Sequence, residues 1–317
     1  MNPDLFLADL ERKPEVLGVL ASALRSDDPW AGSPISADSL IVLLGMGSSH
    51  YATSVAAARL RTRGIDAVAE LASSDLMPAV SDRTVVVAVS ASGGSAETLH
   101  AVAGYRERCP VVALTNVDGS TVTEGAAHVV PMLAQVEAGG VACRSFQHTL
   151  ALLLALESRL TGGGDVPALV EAAAAATADL LERQDAWLPP LIANAIGPDG
   201  THIVAPARRL SSAQQGALML REGPRLPSVG CETGDWSHVD VYLTKTTDYR
   251  MLLFVGSRWE PELVRWVGER GSRLVSIGGD VEAAAQVIRY RGDDSDDVRL
   301  LTEVFIPELL SAAAWSN

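Results

Sequence analysis

Residues 85–98 read VVVAVSASGGSAET, a β-branched apolar run that passes directly into a turn of serines and glycines. An apolar run of this length that ends in turn residues and precedes a helical pattern is typical of a strand buried on both faces of a parallel sheet. The same order occurs earlier, where residues 40–44 (LIVLL) run into residues 45–49 (GMGSS). The sequence therefore predicts two strand–turn–helix units on neighbouring strands of one sheet.

Short apolar segments alternate with helical segments along the rest of the chain, which predicts an α/β fold of parallel sheets covered by helices on both faces. Glycines 162–164 separate two series of similar size and suggest a tandem duplication. The length of 317 residues supports two cores. We predict an N-terminal helical segment (1–37), a first domain (38–161) and a second domain (162–317). The predicted strands are 40–44, 67–71, 85–90, 111–115, 128–132, 202–205, 251–255 and 273–277, and single helices are predicted over 166–187 and 297–315.

Acidic residues outnumber basic ones, 39 to 25, so the formal net charge is −14. Such a chain repels nucleic acid and anionic lipid unless basic residues cluster, and its arginines are scattered. The N-terminus has no secretory signal pattern, and no apolar stretch is long enough to span a bilayer. Three dispersed cysteines argue against disulfides, and the histidines lack metal-ligand spacing. We expect a cytoplasmic protein with no metal, no cofactor and no nucleic-acid or membrane partner.

The two turns carry the donors that a bound phosphate needs. Glycine allows close backbone approach, and the hydroxyls of Ser90, Ser92, Ser95 and Thr98 add donors at a helix N-terminus. A single serine turn is more often a helix cap, but two such turns on neighbouring strands favour an anion site. A dinucleotide site is rejected because His50 stands where its third glycine belongs.

These turns, together with ALTNVDGS at residues 113–120, resemble the family of SIS (sugar isomerase) domains, and within it the isomerase half of glucosamine-6-phosphate synthases and their stand-alone relatives. The resemblance implies two tandem SIS domains, each a flavodoxin-like parallel sheet between layers of helices. The second turn departs from the family pattern S-x-S-G-E-T-x-[DE]-T at Gly94, where the family has glutamate. The residues that the resemblance implies as phosphate and sugar contacts are Ser48, Ser49, Ser90, Ala91, Ser92, Ser95 and Thr98.

A further segment, VACRSF at residues 141–146, resembles the family's V-A-S-T-K-x-F with one residue deleted. The resemblance implies that Cys143 replaces a serine that contacts the sugar. By residue type alone, Cys143 is more often a small buried hydrophobe than a reactive group.

Isomerisation or deamination of a sugar phosphate needs a base and an acid, and Glu222 and His238 are the candidates. Each residue alone is more often solvated or structural. In the family, however, L-K-E ends a matching helix, its glutamate is the isomerising base, and a histidine sixteen residues later opens the sugar ring from the neighbouring subunit. Leu220-Arg221-Glu222 and His238 reproduce this separation. The resemblance therefore implies a homodimer with a shared active site.

Two functions stay open. The first is a phosphosugar enzyme, an aldose–ketose isomerase or an amino-sugar-phosphate deaminase that acts on a hexose or amino-hexose 6-phosphate. The alternative is a sensor that binds a phosphosugar without turnover, which Gly94 and Gln215, both at family glutamate positions, favour. No glutaminase segment and no counterpart of the family's sugar-binding terminal lysine occur in the sequence, so we expect neither glutaminase activity nor Schiff-base chemistry by that lysine.

Overall fold

The computed structural model describes residues 1–316, which form ten strands and twelve α-helices. The strands are β1 (Leu40–Gly45), β2 (Ala67–Leu71), β3 (Thr84–Val89), β4 (Val111–Thr115), β5 (His128–Pro131), β6 (Thr201–Ala205), β7 (Ser228–Glu232), β8 (Arg250–Phe254), β9 (Arg273–Ile277) and β10 (Gln286–Ile288). The helices are α1 (Pro3–Glu11), α2 (Lys13–Ser26), α3 (Ser48–Thr62), α4 (Ala96–Tyr105), α5 (Arg144–Thr161), α6 (Val166–Glu182), α7 (Gln184–Ala195), α8 (Leu210–Glu222), α9 (Thr233–Trp236), α10 (Glu260–Glu269), α11 (Asp296–Thr302) and α12 (Phe305–Trp315).

The described chain divides into two compact units. The first unit comprises residues 15–136 and 142–171, and the second comprises residues 1–14, 137–141 and 172–316. Each unit contains one five-stranded parallel sheet. Among the described residues, no helix combines the length and the apolar character that a membrane crossing requires.

The first sheet has the strand order β2-β1-β3-β4-β5. Strands β3 and β4 are buried along their whole length, as their continuous apolar runs predict for a sheet covered on both faces. Helix α4 packs Val102 and Tyr105 against Val42 and Val86 on one face. Alternate residues of β1, such as Leu43, point to the other face, where α3 contacts β1 and α5 contacts α3. The unit is a sheet between two helical layers.

The second sheet has the order β10-β9-β8-β6-β7. When the strands are numbered within each unit, both sheets have the order 2-1-3-4-5. On one face Trp236, Leu263 and Val267 pack against Val204 and other core residues, and α8 contacts β6 and β7. The predicted fold class, tandem parallel αβα domains, is confirmed.

Two long predicted helices are interrupted. The predicted helix 166–187 ends at Glu182, and a separate helix begins at Gln184. The predicted final helix is divided into α11 and α12. Strands β7 and β10, the two edge strands of the second sheet, were not predicted at all.

Candidate functional site

The candidate site of the first unit lies where the strand order of the sheet reverses. Strand β1 pairs with β2 on one side and with β3 on the other. Because these strands are parallel, the turns that follow β1 and β3 leave the same edge of the sheet side by side. Such a switch point at the carboxyl ends of the strands is where open α/β sheets bind ligands. The two serine turns are therefore neighbours, as the sequence predicted.

In the turn after β3, some serine and threonine hydroxyls face solvent and others form hydrogen bonds within the turn. Ser90 is buried, and its carbonyl accepts a 3.0 Å hydrogen bond from the Gly93 amide. Ser92 is exposed, and its hydroxyl accepts from the Gly94 amide at 3.4 Å. Ser95 caps α4, accepting from the Thr98 amide at 3.4 Å. Ser95 therefore acts as a helix N-cap, the alternative considered for a single serine turn, whereas Ser92 faces solvent.

A carboxylate also lies at this helix N-terminus. The Ser95 hydroxyl donates to Glu97 Oε2 at 2.9 Å. The pKa of Glu97 is lowered mainly by a hydrogen bond from its own backbone and, to a smaller extent, by this hydrogen bond from Ser95. The buried Thr98 hydroxyl donates to Ser95 Oγ at 3.3 Å. The Ser95 hydroxyl is therefore already donated to a carboxylate, and a phosphate bound here would have to take this donor from Glu97.

The segment after β4 supports the serine turn. The Asn116 amide donates to the Ala91 carbonyl at 3.1 Å, and the Val122 amide donates to the Gly93 carbonyl at 3.0 Å. Gly93 has a φ of +65°, and a Cβ added there would lie 1.9 Å from Ser120 Oγ. Only glycine fits this position without a movement of the backbone or of Ser120. Residues with a side chain rarely adopt this backbone conformation, and Ser120 fills the space that a Cβ would need. The third motif of the sequence, residues 113–120, therefore shapes the second.

A cavity of about 400 Å³ opens beside this segment, at the carboxyl ends of β4 and β5. Asn116 fixes its rim, since its Nδ2 donates to the Gln135 carbonyl at 2.7 Å and its Oδ1 accepts from the Ala134 amide at 2.9 Å. Leu133 and Gln135 have positive φ values of 57° and 58°. Such strain in residues other than glycine clusters at functional sites. Sequence reasoning missed Asn116, although it lies inside a motif that was recognised.

In the turn after β1, glycines allow the end of the strand and the start of helix α3 to lie close together. Gly47 has a φ of +49°, and a Cβ on Gly45 would lie 2.9 Å from the Ser49 Cβ. Ser48 and Ser49 are the first residues of the 15-residue helix α3 and are partly exposed. The Ser49 and His50 amides donate to the Met46 carbonyl and the Tyr51 amide donates to that of Gly47, so the donors left for an anion at this helix N-terminus are the Ser48 amide and the serine hydroxyls.

Cys143 is fully buried and occupies the N-cap position of α5. Its thiol is free of disulfides, like those of Cys109 and Cys231. This burial agrees with the interpretation of Cys143 as a small buried hydrophobic residue. Its role as a sugar contact stays a prediction.

Glu222 and His238 belong to the second unit. Glu222 is the last residue of α8 and is partly buried, and this burial raises the pKa of its carboxyl group against the opposing effect of Arg221. A raised pKa moves a carboxylate toward the range in which it exchanges protons near neutrality. His238 is exposed and follows the short helix α9, with its amide donating to the Asp235 carbonyl at 2.8 Å.

The equivalent switch point of the second unit is filled by its own side chains. Beyond the ends of β6 and β8, Arg209 pairs with the buried Glu303 and also donates to the Val255 carbonyl. Arg299 donates to the Val255 carbonyl at 3.1 Å and to that of Gly278 at 2.6 Å. Burial raises the pKa of Glu303 to about 7, although Arg209 and Arg299 oppose this effect. The first unit therefore offers the better candidate site.

The backbone amides at this second edge are occupied as well. Glu260 Oε1 accepts from the amides of Gly256 and Ser257, directly after β8. A carboxylate of the chain thus binds two loop amides here, whereas in the first unit the Glu97 carboxylate accepts from the Ser95 hydroxyl. Within the residues that the structure describes, no three His, Cys, Asp or Glu side chains form a cluster that could hold a metal.

Comparison with known proteins agrees with this geometry. The SIS domain pattern matches residues 35–159, which contain both serine turns. Residues 35–159 are a SIS domain. The family resemblance of the sequence is thereby confirmed, and the SIS domain ends at the close of helix α5.

Curated relatives include two glutamine–fructose-6-phosphate aminotransferases. The one from Methanothermobacter thermautotrophicus is 27% identical over 160 residues, which are 50% of this chain and 27% of the relative. The one from Methanosarcina acetivorans is 40% identical over 86 residues, which are 26% of this chain and 14% of the relative. The matches thus span about a quarter or less of the curated relatives.

Solved structures match over nearly the whole chain at low identity, which bears on the fold alone. The C-terminal domain of glucosamine-fructose-6-phosphate aminotransferase from Francisella tularensis has a TM-score of 0.82 and 16% identity, covering 98% of this chain and 96% of that one. Tagatose-6-phosphate ketose/aldose isomerase from Escherichia coli has a TM-score of 0.81 and 15% identity, with 98% and 92% covered. Glucosamine-6-phosphate deaminase from Thermotoga maritima has a TM-score of 0.75 and 16% identity, with 98% and 94% covered.

Proposed function

We propose that this SIS protein binds a hexose 6-phosphate or an amino-hexose 6-phosphate through the turns that follow β1 and β3. The observation that supports the proposal is the adjacency of two glycine–serine turns at the switch point of the first sheet. Helices α3 and α4 begin at these turns, and an anion would be held, without a lysine or arginine, by serine hydroxyls and by those amides that the turns do not already use. The proposed contacts are Ser48, Ser49, Ser90, Ala91, Ser92, Ser95 and Thr98, with Cys143 beside the sugar.

We further propose that the protein is an enzyme, either an aldose–ketose isomerase or an amino-sugar-phosphate deaminase. His238 donates a proton to the ring oxygen as the bond from that oxygen to the anomeric carbon breaks, and the anomeric hydroxyl loses its proton to water and becomes the carbonyl. Glu222 takes the proton from the carbon next to the carbonyl while the carbonyl oxygen gains one from water, and it then returns the proton to the former carbonyl carbon as the neighbouring hydroxyl or amine loses its own. In the deaminase, water then hydrolyses the resulting carbon–nitrogen double bond and ammonia leaves. The raised pKa of Glu222 supports its role, because a base works best when its pKa approaches the working pH.

The protein is proposed to act as a homodimer whose subunits share active sites. Support comes from the segment after His238, where Val239, Tyr242 and Leu243 are 55%, 61% and 40% exposed. Contiguous exposed apolar side chains are typical of surfaces that another protein covers. A second copy of the chain that covers this segment would also enclose His238.

A turnover assay tests the enzyme proposal. Purified protein is expected to interconvert hexose 6-phosphates or to release ammonia from glucosamine 6-phosphate, and Glu222→Gln is expected to abolish that activity. Glu269→Gln is the matched control, because Glu269 also ends a helix, α10, but is exposed. Full turnover by Glu222→Gln would remove Glu222 from the mechanism.

The sensor is the second candidate, and the sequence departures at Gly94 and the fully buried Gln215 favour it. Thermal shift with hexose 6-phosphates, run beside the turnover assay, separates the two functions. Stabilisation of the protein with no turnover of any hexose phosphate would favour the sensor.

A further inference from the structure

A buried polar network lies in the apolar core of the second unit. Trp236 Nε1 donates to Tyr249 Oη at 2.8 Å, and Tyr249 Oη donates to Asp240 Oδ2 at 3.5 Å. His202 Nδ1 lies 3.3 Å from the same carboxylate oxygen, and the His202 ring stacks on Tyr249 with centroids 4.1 Å apart. All four residues are at most 6% exposed.

The network holds both ends of the turn that carries His238. Trp236 precedes this histidine by two residues, and Asp240 follows it by two. The hydroxyl of Tyr249 joins these two flanking side chains through one donated and one accepted hydrogen bond. His238 itself is exposed, so the turn presents the histidine while its flanking residues are anchored in the core.

Other contacts fix the segments on either side of this turn. Glu232 caps α9 by accepting from the amides of Gly234 and Asp235 at 2.7 and 3.0 Å. After the turn, Arg270 donates to the Val241 carbonyl at 2.6 Å. Both ends of the His238 turn are therefore fixed, and only residues 237–239, between Trp236 and Asp240, are left to move with the histidine.

The polar character of the network is itself informative. The surrounding core is apolar, and Val204, Met251 and Leu263 pack around Trp236 and Tyr249. A carboxylate in such a core is costly unless its hydrogen bonds are made, and a fully satisfied network fixes one conformation more strictly than apolar packing does. Burial, and after it the negative charge of Asp240, raises the pKa of the Cys231 thiol to about 12, so this thiol stays neutral.

We propose that Tyr249 and Asp240 are positioning residues, which hold the His238 turn in the orientation that proton transfer to the substrate requires. This inference rests on the proposed function, because it assigns the network a purpose in the reaction of His238. Tyr249 acts through Trp236 and Asp240, and none of the three is proposed to contact the substrate.

The variant Tyr249→Phe tests the inference, since it removes the bridging hydroxyl and keeps the ring stacked on His202. We expect kcat to fall by about 10- to 100-fold, because small displacements of a catalytic group have effects of that size, while KM stays within about twofold of the wild-type value. The matched control is Tyr290→Phe. Tyr290 is also a buried tyrosine of the second unit, but among the described residues its hydroxyl has no hydrogen-bond partner.

A double variant distinguishes positioning from general destabilisation. If Tyr249 acts through His238, Tyr249→Phe has no further effect on kcat in a His238→Ala background. An equal fall of kcat in both backgrounds would overturn the inference, as would an unchanged kcat in Tyr249→Phe alone when His238→Ala is impaired.

Amide hydrogen exchange gives a readout that does not depend on turnover. We expect faster exchange in residues 237–241 of Tyr249→Phe than in the wild type, and no change there in Tyr290→Phe. Unchanged exchange in Tyr249→Phe would overturn the inference whatever the activity. Faster exchange in a protein that turns over no sugar phosphate would refute the proposed enzyme function while retaining the clamp on the turn.

Discussion

The substitution Gly93→Ala examines the serine turn most directly. Gly93 has a φ of +65°, and a residue with a Cβ pays about 1–2 kcal/mol in that region. The added methyl would also lie 1.9 Å from Ser120 Oγ and 2.4 Å from its Cβ, an overpacking that typically costs about 1–3 kcal/mol. We therefore expect the free energy of unfolding to fall by about 2–5 kcal/mol, and affinity for glucose 6-phosphate to fall with the displaced turn.

Gly94→Ala is the matched control. Gly94 is exposed, its φ is not positive, and no described atom lies within 4 Å of the position of an added Cβ. Urea unfolding followed by tryptophan fluorescence measures stability, and calorimetric titration with glucose 6-phosphate measures binding. The variant Gly93→Ala/Ser120→Gly is expected to recover the steric part of the loss and to retain about 1–2 kcal/mol from the backbone. If Gly93→Ala equals Gly94→Ala in both assays, the turn is not held against Ser120 as described.

Three further predictions concern the second unit, two on stability and one on pH dependence. Lys13→Met leaves the fully buried Glu308 without its ion-pair partner and is expected to lower the free energy of unfolding in urea by about 3–5 kcal/mol. Lys13→Met/Glu308→Leu is expected to recover most of that loss; if both variants lose equal stability, the two residues are not a coupled pair. Gly256→Ala is expected to lower Tm, because a Cβ there would lie 2.8 Å from the Arg209 guanidinium at a φ of +133°, and an unchanged Tm would refute this contact. Glu222 acts as a base only when deprotonated, so its raised pKa is expected to place the acid limb of the kcat–pH profile above the usual glutamate range; a limb that persists in Glu222→Gln would belong to another group.

Most strands could be predicted from sequence because central parallel strands are continuous apolar runs. Strands β2, β4 and β9 coincide with their predicted bounds, and β3 is shifted by one residue at each end. Strands β7 and β10 could not be found in this way because they lack such a run, whereas the edge strands β2 and β5 of the first sheet contain enough apolar residues to be predicted. Strand β7 contains Gly230 and ends in Glu232, and β10 has three residues. The tandem repeat held the missing signal, since β2 follows α3 and an equivalent strand was therefore due after α8.

The site was predictable to the extent that it depends on neighbouring strands. Sequence order placed the two serine turns side by side because each follows a central strand. The contact between Gly93 and Ser120 joins two turns of the same sheet edge, but the sequence carries no sign of its distance. The network around Asp240 could not be foreseen either, because His202 and Tyr249 come from separate elements that only packing brings together.

The two units show that strand order alone does not determine whether a sheet edge can bind an anion. Both sheets reverse their order at the first strand of the unit, so both create a crevice at the carboxyl ends. In the first unit the residues that follow are glycines and serines with small side chains, and Ser92 is exposed. In the second, Arg209 and Arg299 satisfy the strand-end carbonyls and Glu260 takes the amides, so an incoming phosphate would have to displace groups that are already paired. The side chains after the strands, more than the fold itself, restrict the proposed sugar-phosphate chemistry to one of two similar sheets.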